Sequence, residues 1–99
     1  MKHIFLILLM APALVLAQKQ PKPNINKAHN LWKEGKLAEA KEMIDLATTY
    51  EKTMDDGKTW YYRGLIYASL DTTSDESLKS LAPNAIDVAL ESFAKADQL

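Results

Sequence analysis

Between Asn26 and Gln98 the apolar positions recur every three or four residues, the period of helices with one buried face. The first run places Ala28, Leu31 and Trp32 on one side and stops at Gly35, a residue suited to the position just past a helix. The second run sets Leu37, Ala40, Met43, Ile44, Ala47 and Tyr50 at spacings of three and four, within a segment rich in good helix formers. A helical hairpin with a very short connection follows from this pattern. The turn "DDG" at 55–57 separates it from the next element, which Asp56 is placed to cap.

That third element, "TWYYRGLIYASL", puts Trp60, Gly64, Tyr67 and Ala68 on one helical face and Tyr61, Leu65 and Ala68 on its neighbour. A glycine inside a helix costs about 1 kcal/mol relative to alanine. It is retained where another backbone comes too close for any side chain, so Gly64 predicts a helix lying across it. "PNAIDVALESFAKADQL" supplies that helix, with Pro83 in its first turn and a stripe of Ile86, Ala89, Leu90, Phe93 and Ala96. Phe93, bracketed by the small Ala89 and Ala96, is the expected knob. Between the two helices, "DTTSDESLKSLA" at 71–82 is longer than a helix connection needs. Leu78 and Leu81 predict one amphipathic turn folded back over the hairpin. The segment serves as a contact loop or as tolerated length.

Ahead of the helices, "MKHIFLILLMAPALVLAQ" has a basic start and an apolar run closing on small residues, the layout of a secretory signal at 1–17. Cleavage is expected between Ala17 and Gln18. The rival reading, a membrane anchor, needs about 20 apolar residues, and the run has about 14 with Pro12 inside it. Residues 18–24, with two prolines and nothing to bury, read as a flexible linker. Without Lys2, 11 basic side chains face 13 acidic ones, which leaves no electrostatic footprint for nucleic acid and none for an anionic membrane. The absence of cysteine excludes disulfides.

Aligning the two halves pairs Ala28 and Leu31 with Gly64 and Tyr67, and Ala40, Ile44 and Ala47 with Ala89, Phe93 and Ala96. The offset in the first helices is 36 residues, near the roughly 34 of one helical repeat. "WYYRGLIY" and "ALESFAKA" carry Trp60, Gly64, Tyr67, Ala89 and Phe93 at the positions of that repeat's signature, with Arg63 standing where a Leu is usual. The chain therefore resembles tetratricopeptide repeat proteins, in particular secreted bacterial ones that begin with a signal peptide. The resemblance implies an all-α fold of two antiparallel helix-turn-helix repeats, the start of an α-solenoid, at about 25–54 and 57–99 with an insertion at 71–82. It implies repeat packing by Trp60, Gly64, Tyr67, Ala89, Phe93 and Ala96.

It also implies a concave groove for a peptide or partner helix. The groove positions are Ile25, His29, Trp32 and Lys33 from the first repeat and Tyr61, Leu65, Ala68 and Ser69 from the second. Trp32 and Tyr61 are the foremost anchors, since large aromatics hold interfaces at small entropy cost. Packing is the competing role for both. Ile25, His29 and Tyr62 occupy the places where some members clamp a terminal carboxylate, so that mode is not matched.

Catalytic chemistry is missing from the sequence. His29 has no cysteine and, with His3 removed, no second histidine to share a metal. The serines lack a paired base, and the three glycines form no phosphate loop. The expectation is a non-enzymatic interaction scaffold without metal, cofactor or small-molecule substrate. It would be exported to the periplasm or envelope and touch the membrane only through its signal. Self-assembly through the terminal helix and chaperone-like holding of exported clients are the alternatives.

Overall fold

A computed structural model describes residues 22–99. The expected signal at 1–17, the cleavage site at Ala17 and Gln18, and residues 18–21 of the linker lie outside the described residues. Five helices make up the described chain: α1 (Ile25–Lys33), α2 (Leu37–Ala47), α3 (Gly57–Thr72), α4 (Glu76–Lys79) and α5 (Ala85–Gln98). The all-α class read from the sequence holds.

The ends of α1 are set by local chemistry. Asn24 Oδ1 accepts the Lys27 N–H at 3.0 Å and caps the start. At the other end Gly35 takes φ 80°, and two bonds close the helix: Gly35 N–H to Trp32 O at 3.0 Å and Lys36 N–H to Leu31 O at 2.9 Å. This paired closure satisfies carbonyls that the last turn would leave bare. It also folds α2 directly back on α1, as the sequence predicts.

The helix α2 is shorter than its apolar stripe implies. It ends at Ala47, and Thr48 Oγ1 turns back to donate to Asp45 O at 2.7 Å. Thr48 and Thr49 bond to carbonyls three residues back, and Thr53 Oγ1 donates to Ala47 O at 2.8 Å. Threonine hydroxyls thus take over carbonyls that a continuing helix would use. The connection to α3 is consequently residues 48–56 rather than a turn at 55–57 alone. Asp56 then caps α3, with Oδ1 accepting the Lys58 N–H at 2.9 Å.

Three expectations around the insertion are corrected. α3 continues to Thr72, so the first two residues of 71–82 are helical. The amphipathic turn exists as α4, but only Leu78 is partly covered, while Leu81 is exposed. Pro83 precedes α5 rather than opening it: the N-cap is Asn84, and a turn closed by Ala85 N–H to Ala82 O at 3.0 Å carries the proline.

The core lies on α3, which touches every other helix and packs most extensively against α5. Ile66 and Leu70 of α3 and Ile44 of α2 are fully buried, joined by Ala28, Ala40 and Ala89. Gly64 is buried against Phe93: a Cβ there would lie 2.5 Å from Phe93 Cδ1 and 2.7 Å from Cζ, inside any normal contact. The last helix crosses at Gly64 as the sequence implies, but the Phe93 ring, and not a backbone, occupies the space a Cβ would take. The stripe expected on α5 is rotated, however. Ala85, Ala89 and Ser92 are buried, whereas Ile86 is 46% and Leu90 61% exposed. Among the described residues no helix is long and apolar enough to cross a membrane.

Candidate functional site

The helices α1 and α3 lie side by side, and their cross-contacts fix their direction. His29 stacks on Tyr62 with ring centroids 4.4 Å apart, and Trp32 Nε1 donates to Ser69 Oγ at 2.8 Å. Both partners advance together along the two helices, so α1 and α3 are parallel. His29 also stacks on Trp32 at 5.3 Å, which makes a continuous row Trp32–His29–Tyr62. Aromatic pairs of this kind contribute roughly 0.5–1.5 kcal/mol each beyond burial.

The positions assigned to the groove fall as follows. His29, Trp32 and Ser69 are brought into direct contact, all half-buried. Ile25 and Ala68 are half-buried and pack on the core. Leu65 is half-buried and Lys33 exposed. Tyr61 is 49% exposed and borders both Tyr62 and Phe93, each at 6.0 Å. Trp32 thus joins two helices while keeping part of its ring in solvent, and Tyr61 stands out from the surface. Tyr62, the ring at the α3 end of the row, is assigned no groove role from sequence. Its position beside Tyr61 carried the signal, but only the stack with His29 gives it a place.

On its inner side this surface is braced by a polar seam centred on Asp45 of α2. Asp45 accepts from Arg63 Nε at 3.2 Å, from Lys41 Nζ at 3.1 Å and from the Tyr67 hydroxyl at 2.8 Å. Arg63 reaches on to Ser92 Oγ of α5 at 3.2 Å and lies over the Tyr67 ring at 5.0 Å. A guanidinium therefore spans α2, α3 and α5 at the position where the repeat signature has leucine. Burial, followed by the hydrogen bond to Asp45, holds the Tyr67 hydroxyl above its usual pKa. For Lys41, burial disfavours the charge, but the bond and charge of Asp45 outweigh it and raise the pKa. With three donors on its carboxylate, Asp45 is arranged as a clasp between helices.

Beyond the seam, a shallow cleft of about 610 Å³ lies between α2 and Leu81, lined by Ala38, Lys41 and Leu46 among others. No group of three His, Asp or Glu that could hold a metal occurs among the described residues. The α1–α3 face carries a row of aromatic rings and one hydrogen bond that bridges the two helices. No family model matches the chain, and neither the curated proteins nor the solved structures yield a match.

Proposed function

We propose that this protein is an exported protein-interaction scaffold of tetratricopeptide type, whose α1–α3 face holds a peptide or partner helix. Its two hairpins, α1 with α2 and α3 with α5, would be the two repeats, and the periplasm or envelope its location. The observation that carries this reading is the Trp32–Ser69 bond with the adjoining His29–Tyr62 stack. First helices from both hairpins thereby form one surface, with Tyr61 left open beside it. A row of aromatics spanning two helices offers a pre-organised contact strip, which lowers the ordering cost of binding. The role would be recognition by shape and contact, with no reaction.

A photo-reactive residue replacing Tyr61, compared with the same residue replacing Glu42 on α2, tests the assignment in the native envelope fraction. Reproducible crosslinks to a small set of proteins from position 61 alone are expected. Equal crosslinking from both positions would remove the α1–α3 face as the contact surface. The exposed Ile86 and Leu90 favour a second reading, self-assembly through α5. Crosslinks from position 61 to a second copy alone would move the reading there.

A further inference from the structure

We propose that the outer face of α3 and α5 pairs with the same face of a second copy about a two-fold axis, an inference that rests on the self-assembly reading and gives it a geometry. The α1–α3 assignment does not depend on it. On α5, Ile86, Leu90, Phe93 and Asp97 recur at intervals of four, three and four, so they share one side of the helix. That side lies away from Ser92, through which Arg63 ties α5 towards Asp45 of α2. Ile86 and Leu90 stand out into solvent. Phe93 adjoins Tyr61 of α3, and Leu65 follows Tyr61 one turn later. At the far end of the stripe a hollow of about 400 Å³ opens between Gly57 and Tyr61 on α3 and Phe93 and Ala96 on α5, with Lys58 and Asp97 also on its wall. One face thus carries a branched aliphatic knob at one end and a hollow at the other.

Knob and hollow are placed to meet across that axis. α3 and α5 run antiparallel, since Gly57 lies by Ala96 and Leu99 while Gly64 lies by Phe93. Leu65 therefore stands nearly level with Leu90, and the axis passes between them. Ile86 precedes Leu90 by four residues and Tyr61 precedes Leu65 by four, roughly 6 Å in each case. A half-turn lays Leu90 of each copy on the other's Leu65 and sets each Ile86 on the other's Tyr61, at the hollow. The same half-turn carries Asp87, beside Ile86, towards Lys58, which sits on the opposite helix at the opposite end. Neither forms an ion pair within one copy among the described residues. Asp56 and Asp97 also stand near Lys58, so this pair marks the register and adds little strength.

A two-fold partner fits better than a row of copies. By the 36-residue offset, the α3 residues that seat on the first hairpin, Tyr62, Arg63 and Ser69, correspond to Asn26, Lys27 and Lys33 of α1. All three are exposed and polar, so α1 of another copy is a poor cover for Ile86 and Leu90. The patch is also small. Two exposed aliphatic side chains and a half-exposed tyrosine place it at the low end of interfaces, below about 1,200 Å² in total. Two-fold pairing makes every knob-to-hollow contact twice, which a single docked helix does not.

Sedimentation of the full chain from about 1 µM to about 1 mM spans the weak affinities expected of so small an interface. Mass should double with concentration and rise no further. Leu90→Lys should weaken association about tenfold or more, with helicity unchanged because Leu90 is exposed in the single copy. Lys58→Asp and Asp87→Lys should each weaken it roughly threefold, and the two together should restore most of the loss. A dimer that persists in Leu90→Lys would overturn this face and leave self-assembly to another surface. A double charge variant no tighter than either single one would overturn the two-fold register. Species growing beyond the dimer would overturn it in favour of end-to-end stacking. A monomer at every concentration would overturn the dimer and the self-assembly reading together, with the α1–α3 scaffold untouched. Crosslinks from a photo-reactive residue at position 90 to another protein alone, in the envelope fraction, would assign the face to that protein instead.

Discussion

At the scale of single residues, Gly64 and Tyr67 turn packing into measurable quantities. Helix propensity alone would have Gly64→Ala stabilise the protein by about 1 kcal/mol. The Phe93 ring occupies the site of the new methyl group, and overpacking of this kind costs about 1–3 kcal/mol. Gly64→Ala should therefore lower Tm, with a net loss of up to about 2 kcal/mol, and Phe93→Leu in the same chain should recover part of it. A rise in Tm for the single variant would mean the ring is free to swing away. Tyr67 adds a pH dependence. Its folded pKa lies above the unfolded value of 10.0, so its contribution is complete below that pH and is lost as pH rises through the folded value. Lys41, raised from 10.5, acts in the same direction and slightly higher range. Thermal stability should fall above about pH 10, and Tyr67→Phe should fall less steeply there. Equal slopes in the two proteins would place the alkaline loss elsewhere.

For whole elements, what the sequence discloses depends on whether the deciding interaction is local. Gly35 and Asp56 act on backbone groups within a few residues, so the end of α1 and the start of α3 are readable in the sequence, whereas the Asn24 cap, placed in the linker by the sequence reading, is found only in the structure. Gly64 was readable because a glycine amid aromatics has few explanations. The end of α2 was not, since the threonine hydroxyl bonds that stop it compete with an uninterrupted apolar period. α5 misleads for a different reason. The small Ala85, Ala89 and Ser92 face inward in the close packing of α5 on α3, whereas a hydrophobic stripe points to large side chains. Of the residues in the α1–α3 row, His29, Trp32 and Ser69 are named in the sequence reading, while Tyr62 and the Asp45–Arg63–Ser92 link needed contacts across separate helices. The rotation of α5 is testable. Leu90→Ala should change stability by less than about 0.5 kcal/mol, as surface substitutions do. Leu70→Ala, which opens a cavity at a fully buried site, should cost about 2–5 kcal/mol. Comparable losses in denaturant titrations would restore Leu90 to the core.

Considered whole, the molecule is two helical hairpins joined across a seam that is polar as well as apolar. α3 and α5 pack closely, and α1 is held by α2 through the short turn at Gly35. Between the hairpins stand Asp45 with Arg63 and Tyr67, the Trp32–Ser69 bond and the His29–Tyr62 stack. The Asp45 clasp is only partly buried, with side-chain exposure of 32% for Asp45 and 21% for Arg63. Its loss should cost more than the ~0.2–1 kcal/mol of an exposed pair and less than the ~3–5 kcal/mol of breaking a buried one. Asp45→Ala removes the acceptor for Arg63 and Tyr67 together while leaving each hairpin's internal apolar contacts in place. Subglobal opening should then become visible. In native-state hydrogen exchange of the parent protein, the slowest amides of α2 and α3 should exchange at similar free energies. In Asp45→Ala, protection in α1 and α2 should drop by roughly tenfold or more, a change of about 1.4 kcal/mol, while α3 and α5 retain a larger share of theirs. That inequality is the signature of a seam holding two units together. An equal loss in all four helices would instead make the chain a single cooperative unit, in which Asp45 stabilises every helix alike.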